Sequence, residues 1–216
     1  MRLWLVRHAQ PLIAPGICYG RLDVAADADA SAACARRLAA QLPPGTRVAA
    51  SALQRCAQLA RQLQQLRPDL APATDARLQE MDFGQWEGRA WQDIAPAELQ
   101  AWTDDFAHHA AGGSGESVSA FMARVASAYD ALGAPEAPDS RQPGHISAPP
   151  PTSPARDVLW ITHAGVIRAV DLLAQGLRHI ERADQWPLQA PNYGQWRTLD
   201  LHIARARAPT PRTVTG

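Results

Sequence analysis

The chain has 216 residues, 46% of them hydrophobic, and a formal net charge of +0 from 21 basic and 21 acidic side chains. This length and apolar content are sufficient for one large domain with its own core. The balanced charge argues against a nucleic-acid or anionic-membrane partner, and no stretch reaches the roughly 20 apolar residues of a membrane span.

Cysteine usage and the amino-terminal residues bear on the cellular compartment. Cys18, Cys34 and Cys56 are odd in number and lack the spacing of a metal site, which indicates a reducing environment. The opening apolar run is too short for a secretory signal peptide and is followed at once by Arg7. We therefore expect a cytoplasmic protein. The sequence leaves open whether it is a monomer or a dimer.

The first candidate element is an unbroken apolar run over residues 3–6, followed directly by Arg7 and His8. A short run of this kind is typical of a strand buried on both faces of a parallel sheet. Ligands of open α/β sheets bind at the carboxyl ends of strands, which makes Arg7 and His8 candidate site residues. An imidazole can act as nucleophile or base, and a guanidinium offers paired donors to phosphate or carboxylate. The alternative is a strand that simply ends in polar residues.

The next 60 residues predict a loop and two amphipathic helices. Residues 10–24 contain prolines and glycines without a helical period, which indicates a loop at the ligand end of the first strand. Apolar residues at four-residue spacing predict a helix over residues 31–42 with Ser31 as its N-cap. A short strand over residues 48–50 precedes a second helix, and Arg55 lies off the apolar face of that helix.

The middle of the chain predicts a weak strand over residues 73–78 and then an irregular, tryptophan-rich region. The tryptophans are interpreted as core or rim packing, with Trp86 as a candidate wall of the site. A glycine-rich stretch over residues 111–117 could suggest a phosphate-binding loop. No strand precedes it, so we interpret it as a turn that caps a helix over residues 117–132.

The last third of the chain begins with a proline-rich, low-complexity segment over residues 134–155. It contains few large apolar residues, so we expect a disordered or extended surface loop within one domain. A second buried strand over residues 158–162 ends in His163. A helix with a stripe from Val166 to Leu177 and a strand over residues 195–203 follow, and residues 204–216 are expected to form a flexible tail.

Four segments in this order resemble the signature of the histidine phosphatase superfamily, which includes the phosphoglycerate mutases and related phosphatases. They are Arg7-His8-Ala9, the segment from Ser51 to Arg55, the segment from Leu78 to Gly88, and His163-Ala164-Gly165. Residues 16–24 and 79–84 look most like those of alpha-ribazole phosphatases of cobalamin synthesis. The resemblance implies a three-layer α/β/α fold with a mostly parallel central sheet, formed by one domain over residues 1–203.

The resemblance also implies a chemistry for the candidate residues. His8 would be the nucleophile that forms a phosphohistidine, and Glu80 the acid and base for the leaving group and water. Arg7, Arg55 and His163 would bind the phosphoryl oxygens. Tyr19, Gly20 and Ala164 would complete the substrate site. The implied partner is a small-molecule phosphate monoester, with alpha-ribazole 5′-phosphate as the preferred substrate, and no cofactor or metal is implied.

Other functions remain open at this stage. A broad-specificity or sugar-phosphate phosphatase fits the same residues, whereas a mutase and a non-catalytic phosphate-binding protein are less favoured. A metal site formed by His8 and His163 is disfavoured because Arg7 and Arg55 would repel a divalent cation. Ala9 and Ala164 stand where the family usually has glycine; a methyl group is tolerated there if φ is negative.

Overall fold

The computed structural model describes residues 1–133 and 156–201. The surface loop expected over residues 134–155 and the tail expected over residues 204–216 lie outside these ranges. Within the described ranges, no helix combines the length and the apolar character needed to cross a membrane.

The described residues form a central five-stranded sheet. Its strands are β1 (Arg2–Arg7), β2 (Arg47–Ala50), β3 (Ala73–Thr74), β4 (Val158–Thr162) and β5 (Trp196–Asp200). Their order in the sheet is β3-β2-β4-β1-β5, and neighbouring strands are parallel except that β5 runs antiparallel to β1. The predicted α/β class with a mostly parallel sheet is therefore confirmed.

Helices cover both faces of the sheet, and this explains why residues 3–6 of β1 and 158–161 of β4 are all apolar. Leu3 and Leu5 of β1 pack into one core cluster, whereas Trp4 and Val6 pack into another on the opposite face. In the part of the chain that the structure describes, the α-helices are α1 (Ala28–Gln41), α2 (Gln54–Leu66), α3 (Pro96–Asp104), α4 (Val118–Asp130) and α5 (Ala164–Ala174). The first cluster includes residues of α4 and α5, and the second includes residues of α1 and α2.

The register between β1 and β4 determines where the two candidate histidines lie. Leu3 pairs with Val158, and four residues later Arg7 pairs with Thr162. His8 and His163 therefore follow directly after the last paired residues of two adjacent strands. The backbone N–H of His8 continues the ladder by donating to the Thr162 carbonyl at 3.0 Å.

The predicted start of the first helix is wrong by three residues. α1 begins at Ala28, and its N-cap is Asp27, whose Oδ1 accepts from the Ala30 N–H at 2.7 Å. Ser31 is buried inside the helix, where its hydroxyl donates to the Asp27 carbonyl. The apolar stripe begins after Ser31, but a carboxylate can cap and extend the helix beyond its apolar stripe.

Two other elements, β3 and α5, end earlier than predicted because a turn follows them. The predicted strand over residues 73–78 is only two residues long, because Asp75 caps a 3-10 turn over Ala76–Leu78. α5 ends at Ala174 although the apolar stripe continues to Leu177. Gly176 has a φ of 83°, and the N–H of Leu177 donates back to the Leu172 carbonyl, as in a Schellman motif. The glycine-rich stretch caps α4 as predicted, because the hydroxyl oxygen of Ser117 accepts from the Ala120 N–H.

Asp27→Ala should lower the free energy of unfolding by about 1 kcal/mol, because the first turn of α1 loses its side-chain cap. Asp27→Asn should retain most of the stability, since an amide oxygen can accept the same bond. Urea denaturation of both variants measures the difference. The capping role would be contradicted if the alanine and asparagine variants were equally destabilised.

Candidate active site

His8 is buried at the carboxyl end of β1, with only 2% of its surface exposed. Its Nδ1 lies 2.7 Å from the carbonyl oxygen of Ala9. A carbonyl oxygen can only accept, so Nδ1 carries the proton and donates this bond. In the neutral ring, Nε2 is therefore unprotonated and keeps its lone pair, as a nucleophile requires.

His163 and Arg55 form a second buried layer next to His8. The ring centroids of His8 and His163 are 5.1 Å apart. Arg55 Nε donates to His163 Nδ1 at 3.3 Å, so the proton of the neutral His163 ring lies on Nε2, which is 2.8 Å from the Ser51 hydroxyl. Arg55 is also fully buried, and it donates to the carbonyls of Leu22 and Gly20 at 2.8 and 2.5 Å.

Both imidazoles are held neutral by their surroundings. Burial, followed by the positive charge of Arg55, lowers the pKa of His8 to about 3. Burial and the charge of Arg55 also lower the pKa of His163 well below its usual value of 6.5. Two effects disfavour the charged imidazolium: its removal from water and the repulsion by nearby guanidinium groups. His8 therefore presents a neutral ring at neutral pH.

Arg7 and two tyrosines form the part of the site nearest to β5. The Arg7 guanidinium lies 3.8 Å above the ring of Tyr193 and donates to the Pro191 carbonyl at 3.1 Å. The hydroxyl groups of Tyr19 and Tyr193 are 2.7 Å apart. Stacking and a backbone contact hold the guanidinium in place while leaving nitrogen donors available to an anion.

Glu80 faces the amino terminus of α5. Its Oε2 accepts from the Gly165 N–H at 2.9 Å, and its Oε1 accepts from the Met81 N–H at 3.2 Å. A Cβ at position 165 would overlap the Glu80 carboxylate, so this close approach requires glycine. Ala9 and Ala164, which replace the usual glycines of the family, do not have a positive φ, so their methyl groups are tolerated.

An ion pair outside the cavity holds the backbone of the Glu80 segment. Arg124 and Glu116 form a salt bridge at 2.7 Å. Arg124 donates to the carbonyls of Gln79 and Glu80, at 2.9 and 3.3 Å, and Glu116 accepts from the Asp82 N–H. Glu116 belongs to the glycine-rich segment that precedes α4, so this segment borders the site without lining the cavity.

Glu87 holds the loop that carries Tyr19 and Gly20. Its carboxylate accepts from the backbone N–H groups of Gly20, Arg21 and Leu22 at 2.8 to 3.0 Å. Gly20 lies so close to the Met81 carbonyl that a Cβ would overlap it. The glycine is therefore explained by close packing, and its carbonyl serves Arg55.

A cavity of about 340 Å³ opens above these residues. Of the predicted site residues, Arg7, His8, Tyr19, Glu80 and Ala164 line it, whereas Arg55, His163 and Gly20 lie behind them. Aromatic side chains form much of the remaining wall. We call this part the aromatic chamber; it is lined by Phe83, Trp102, Phe106, Phe121 and Trp186. Trp86, the candidate wall residue, is instead buried in the core, and its indole N–H donates to Glu98.

Sequence reasoning did not identify Arg168, Tyr193 or the aromatic chamber as parts of the site. Arg168 could have been found, because it lies four residues after Ala164 and so on the same face of α5. Its side chain lines the cavity and donates to the Leu188 carbonyl at 2.8 Å. Tyr193 and the chamber carry no local signal, because their residues come from segments that are distant in sequence. Trp102 belongs to α3 and Phe121 to α4, whereas Tyr193 and Trp186 lie between α5 and β5.

The described residues, 1–133 and 156–201, do not assemble a metal centre. Within these ranges, no three His, Cys, Asp or Glu side chains are grouped so that they could hold an ion. All three cysteines are buried and free. The side chain of Cys56 lies 3.5 Å from His163 Nε2, and burial raises the pKa of its thiol to about 12.

A protein-family comparison matches residues 3–202 to the histidine phosphatase superfamily, branch 1. The chain therefore belongs to this superfamily. No curated protein sequence matches it.

Solved structures of a phosphatase and of a second protein are similar to this chain. The chain is similar to the mycobacterial glucosyl-3-phosphoglycerate phosphatase Rv2419c in complex with VO3, with 26% identity, a TM-score of 0.68 and 92% of each chain covered. The native form of that phosphatase matches with 27% identity, a TM-score of 0.61, and 82% and 80% of the two chains covered. The protein TTHB049 from Thermus thermophilus matches with 28% identity, a TM-score of 0.61 and coverages of 93% and 94%.

Because His8 and His163 are buried and neutral, we expect the folded protein to lose stability in acid. Between about pH 6.5 and 3, the unfolded chain binds a proton at position 8 that the folded chain does not. The free energy of unfolding should fall as pH is lowered through this window, with His8 contributing up to about 1.4 kcal/mol per pH unit. His8→Asn should reduce this slope, as measured by urea denaturation at pH 6.5, 5.5 and 4.5. Identical slopes for the variant and the wild type would contradict a neutral buried His8.

Proposed function

We propose that the protein is a phosphomonoesterase that works through a phosphohistidine at His8. One observation carries the proposal: a neutral imidazole with an unprotonated Nε2 shares one cavity with the Arg7 guanidinium and the Glu80 carboxyl group. These are a nucleophile, a cationic binding group and a group able to transfer protons. Membership of the histidine phosphatase superfamily supports the same assignment.

In the first step, the lone pair of His8 Nε2 attacks phosphorus, and the bond from phosphorus to the alcohol oxygen breaks. The Nδ1–H bond to the Ala9 carbonyl stabilises the positive charge that develops on the ring. Arg7 binds phosphoryl oxygens directly. Arg55 and His163 lie in the layer behind His8 and stabilise the negative charge of the phosphoryl group from there. Glu80 in its protonated form gives its proton to the departing alkoxide, so that a neutral alcohol leaves.

In the second step, water attacks the phosphohistidine and Glu80, now a carboxylate, accepts a proton from it. The N–P bond breaks, inorganic phosphate forms, and His8 returns to its neutral state. The bonds from the Gly165 and Met81 N–H groups hold the carboxylate in one orientation for both steps. A mutase would instead return the phosphoryl group to an alcohol, so release of inorganic phosphate distinguishes the two activities.

For the substrate, we propose alpha-ribazole 5′-phosphate, because residues 16–24 and 79–84 resemble alpha-ribazole phosphatases. The alternative is a sugar phosphate, which is favoured by the similarity to a glucosyl-3-phosphoglycerate phosphatase. Inorganic phosphate release from alpha-ribazole 5′-phosphate and from glucosyl-3-phosphoglycerate, compared by kcat/KM, tests the choice.

Brief incubation with a ³²P-labelled phosphate monoester should leave an acid-labile, alkali-stable label on the wild-type protein, as expected of a phosphohistidine. His8→Ala should abolish both label and turnover, because no other group replaces the nucleophile. The matched control is His108→Ala, at an exposed histidine outside the cavity. Persistent turnover in His8→Ala would rule out the covalent route.

Gly165→Ala should reproduce the effect of Glu80→Gln, because the added methyl group displaces the carboxylate. Both should slow the first turnover with ethyl phosphate, measured as the initial burst of released alcohol, by about 10²–10⁴-fold. This is the usual cost of losing a positioned acid. The burst with p-nitrophenyl phosphate should fall much less, because nitrophenolate leaves without a proton. The control is Gly133→Ala, where a Cβ meets open space. Equal losses with both esters would show that Glu80 is not the leaving-group acid.

A further inference from the structure

The cavity has two chemically distinct halves. Its polar half contains Arg7, His8 and Glu80, where the proposed phosphoryl transfer takes place. The other half is the aromatic chamber, which is continuous with the first half. An ester bound with phosphorus at His8 must place its alcohol part beside Glu80, and therefore at or in the chamber.

The rings of the chamber pack in two groups. In one, Trp102 packs against Phe106 with centroids 5.1 Å apart and against Phe83 in an edge-to-face arrangement at 6.4 Å. In the other, Phe121 packs against Trp186 at 6.2 Å. Such rings present flat faces and edges, with which another flat ring makes favourable offset or edge-to-face contacts.

Polar groups in the chamber are few. The hydroxyl of Thr103 donates to the backbone carbonyls of Leu99 and Gln100, and one guanidinium nitrogen of Arg168 donates to the Leu188 carbonyl. The indole N–H of Trp102 and Nε of Arg168 are buried without a partner. A sugar would bring several hydroxyl groups into this wall, and these two N–H groups could not replace all the hydrogen bonds to water that those hydroxyl groups would lose.

We propose that the aromatic chamber binds the alcohol part of the substrate and selects a flat aromatic ring carried by that alcohol. This inference rests on the proposed phosphomonoesterase function and narrows its substrate class. Of the two candidate substrates, alpha-ribazole 5′-phosphate carries a flat aromatic base, whereas the sugar phosphate does not. Trp186 is the most suitable residue for a test, because it is only half-buried and lies just after a 3-10 turn.

Three esters of primary alcohols separate the contributions: benzyl phosphate, cyclohexylmethyl phosphate and glycerol 1-phosphate. Their leaving groups are similarly basic, so differences in kcat/KM report mainly on the chamber. Benzyl phosphate should exceed glycerol 1-phosphate by about tenfold or more, because its ring leaves water for an apolar wall. It should exceed cyclohexylmethyl phosphate by about three- to tenfold, because only the flat ring makes aromatic contacts.

Substitutions at Trp186 test whether the chamber causes this preference. Trp186→Leu keeps an apolar side chain but removes the ring, so the benzyl to cyclohexylmethyl ratio should fall towards one. Trp186→Phe restores a ring and should restore most of the ratio. Trp196→Leu makes the same substitution at a half-buried tryptophan of β5 that packs against the core cluster on the opposite face of the sheet, and it should keep the wild-type ratio.

The results separate failure of the chamber proposal from failure of the proposed function. If the wild-type enzyme hydrolyses all three esters equally well, it is a phosphatase and the chamber proposal is overturned. The same conclusion follows if Trp196→Leu lowers the ratio as much as Trp186→Leu does. If no ester is hydrolysed and no phosphohistidine forms, the proposed function itself fails. The wild-type ratios test the chamber even if the Trp186 variants do not fold.

Discussion

The parallel pairing of β1 with β4 is the constraint on which the site depends. The two strands lie side by side in the centre of the sheet, and their register ends at Arg7 and Thr162. The next residue of each strand is a histidine, so strand spacing alone brings the rings of His8 and His163 to 5.1 Å. Because helices cover both faces of these strands, the rings are excluded from water as well as placed together.

The exclusion of His8 from water helps to determine the protonation state of its ring. In water, an imidazole is partly protonated near neutral pH, and a protonated ring cannot attack phosphorus. Burial and the Arg55 guanidinium remove the charged form of His8. The same guanidinium binds the carbonyls of Gly20 and Leu22, so one buried residue links the electrostatics of the site to the loop beside it.

The remaining parts of the site are positioned by networks that lie outside the cavity. The ion pair of Arg124 with Glu116 holds the backbone on both sides of Glu80, and Glu87 holds the loop after Tyr19. Such fixed supports favour catalysis because the reacting groups need little reorganisation. In the proposed function, the aromatic chamber would add selectivity on the side of the cavity where the alcohol part of an ester lies.

Local patterns in the sequence predicted the two central strands and the carboxyl-end positions of Arg7, His8 and His163, and the resemblance to the histidine phosphatase superfamily implied the α/β class. Strand burial and helix periodicity depend on neighbouring residues, so they can be read from short stretches. Element ends were less predictable, as at Ser31, because one capping carboxylate shifted the start of α1. The place of Arg168 on α5 follows from helix periodicity, but the contributions of Tyr193 and the aromatic chamber were decided only by tertiary structure. The ring of Tyr193 lies 5.6 Å from that of His8, and the chamber collects rings from α3, α4 and loops. These segments are distant in sequence and meet only when the chain folds, so no local spacing encodes their approach.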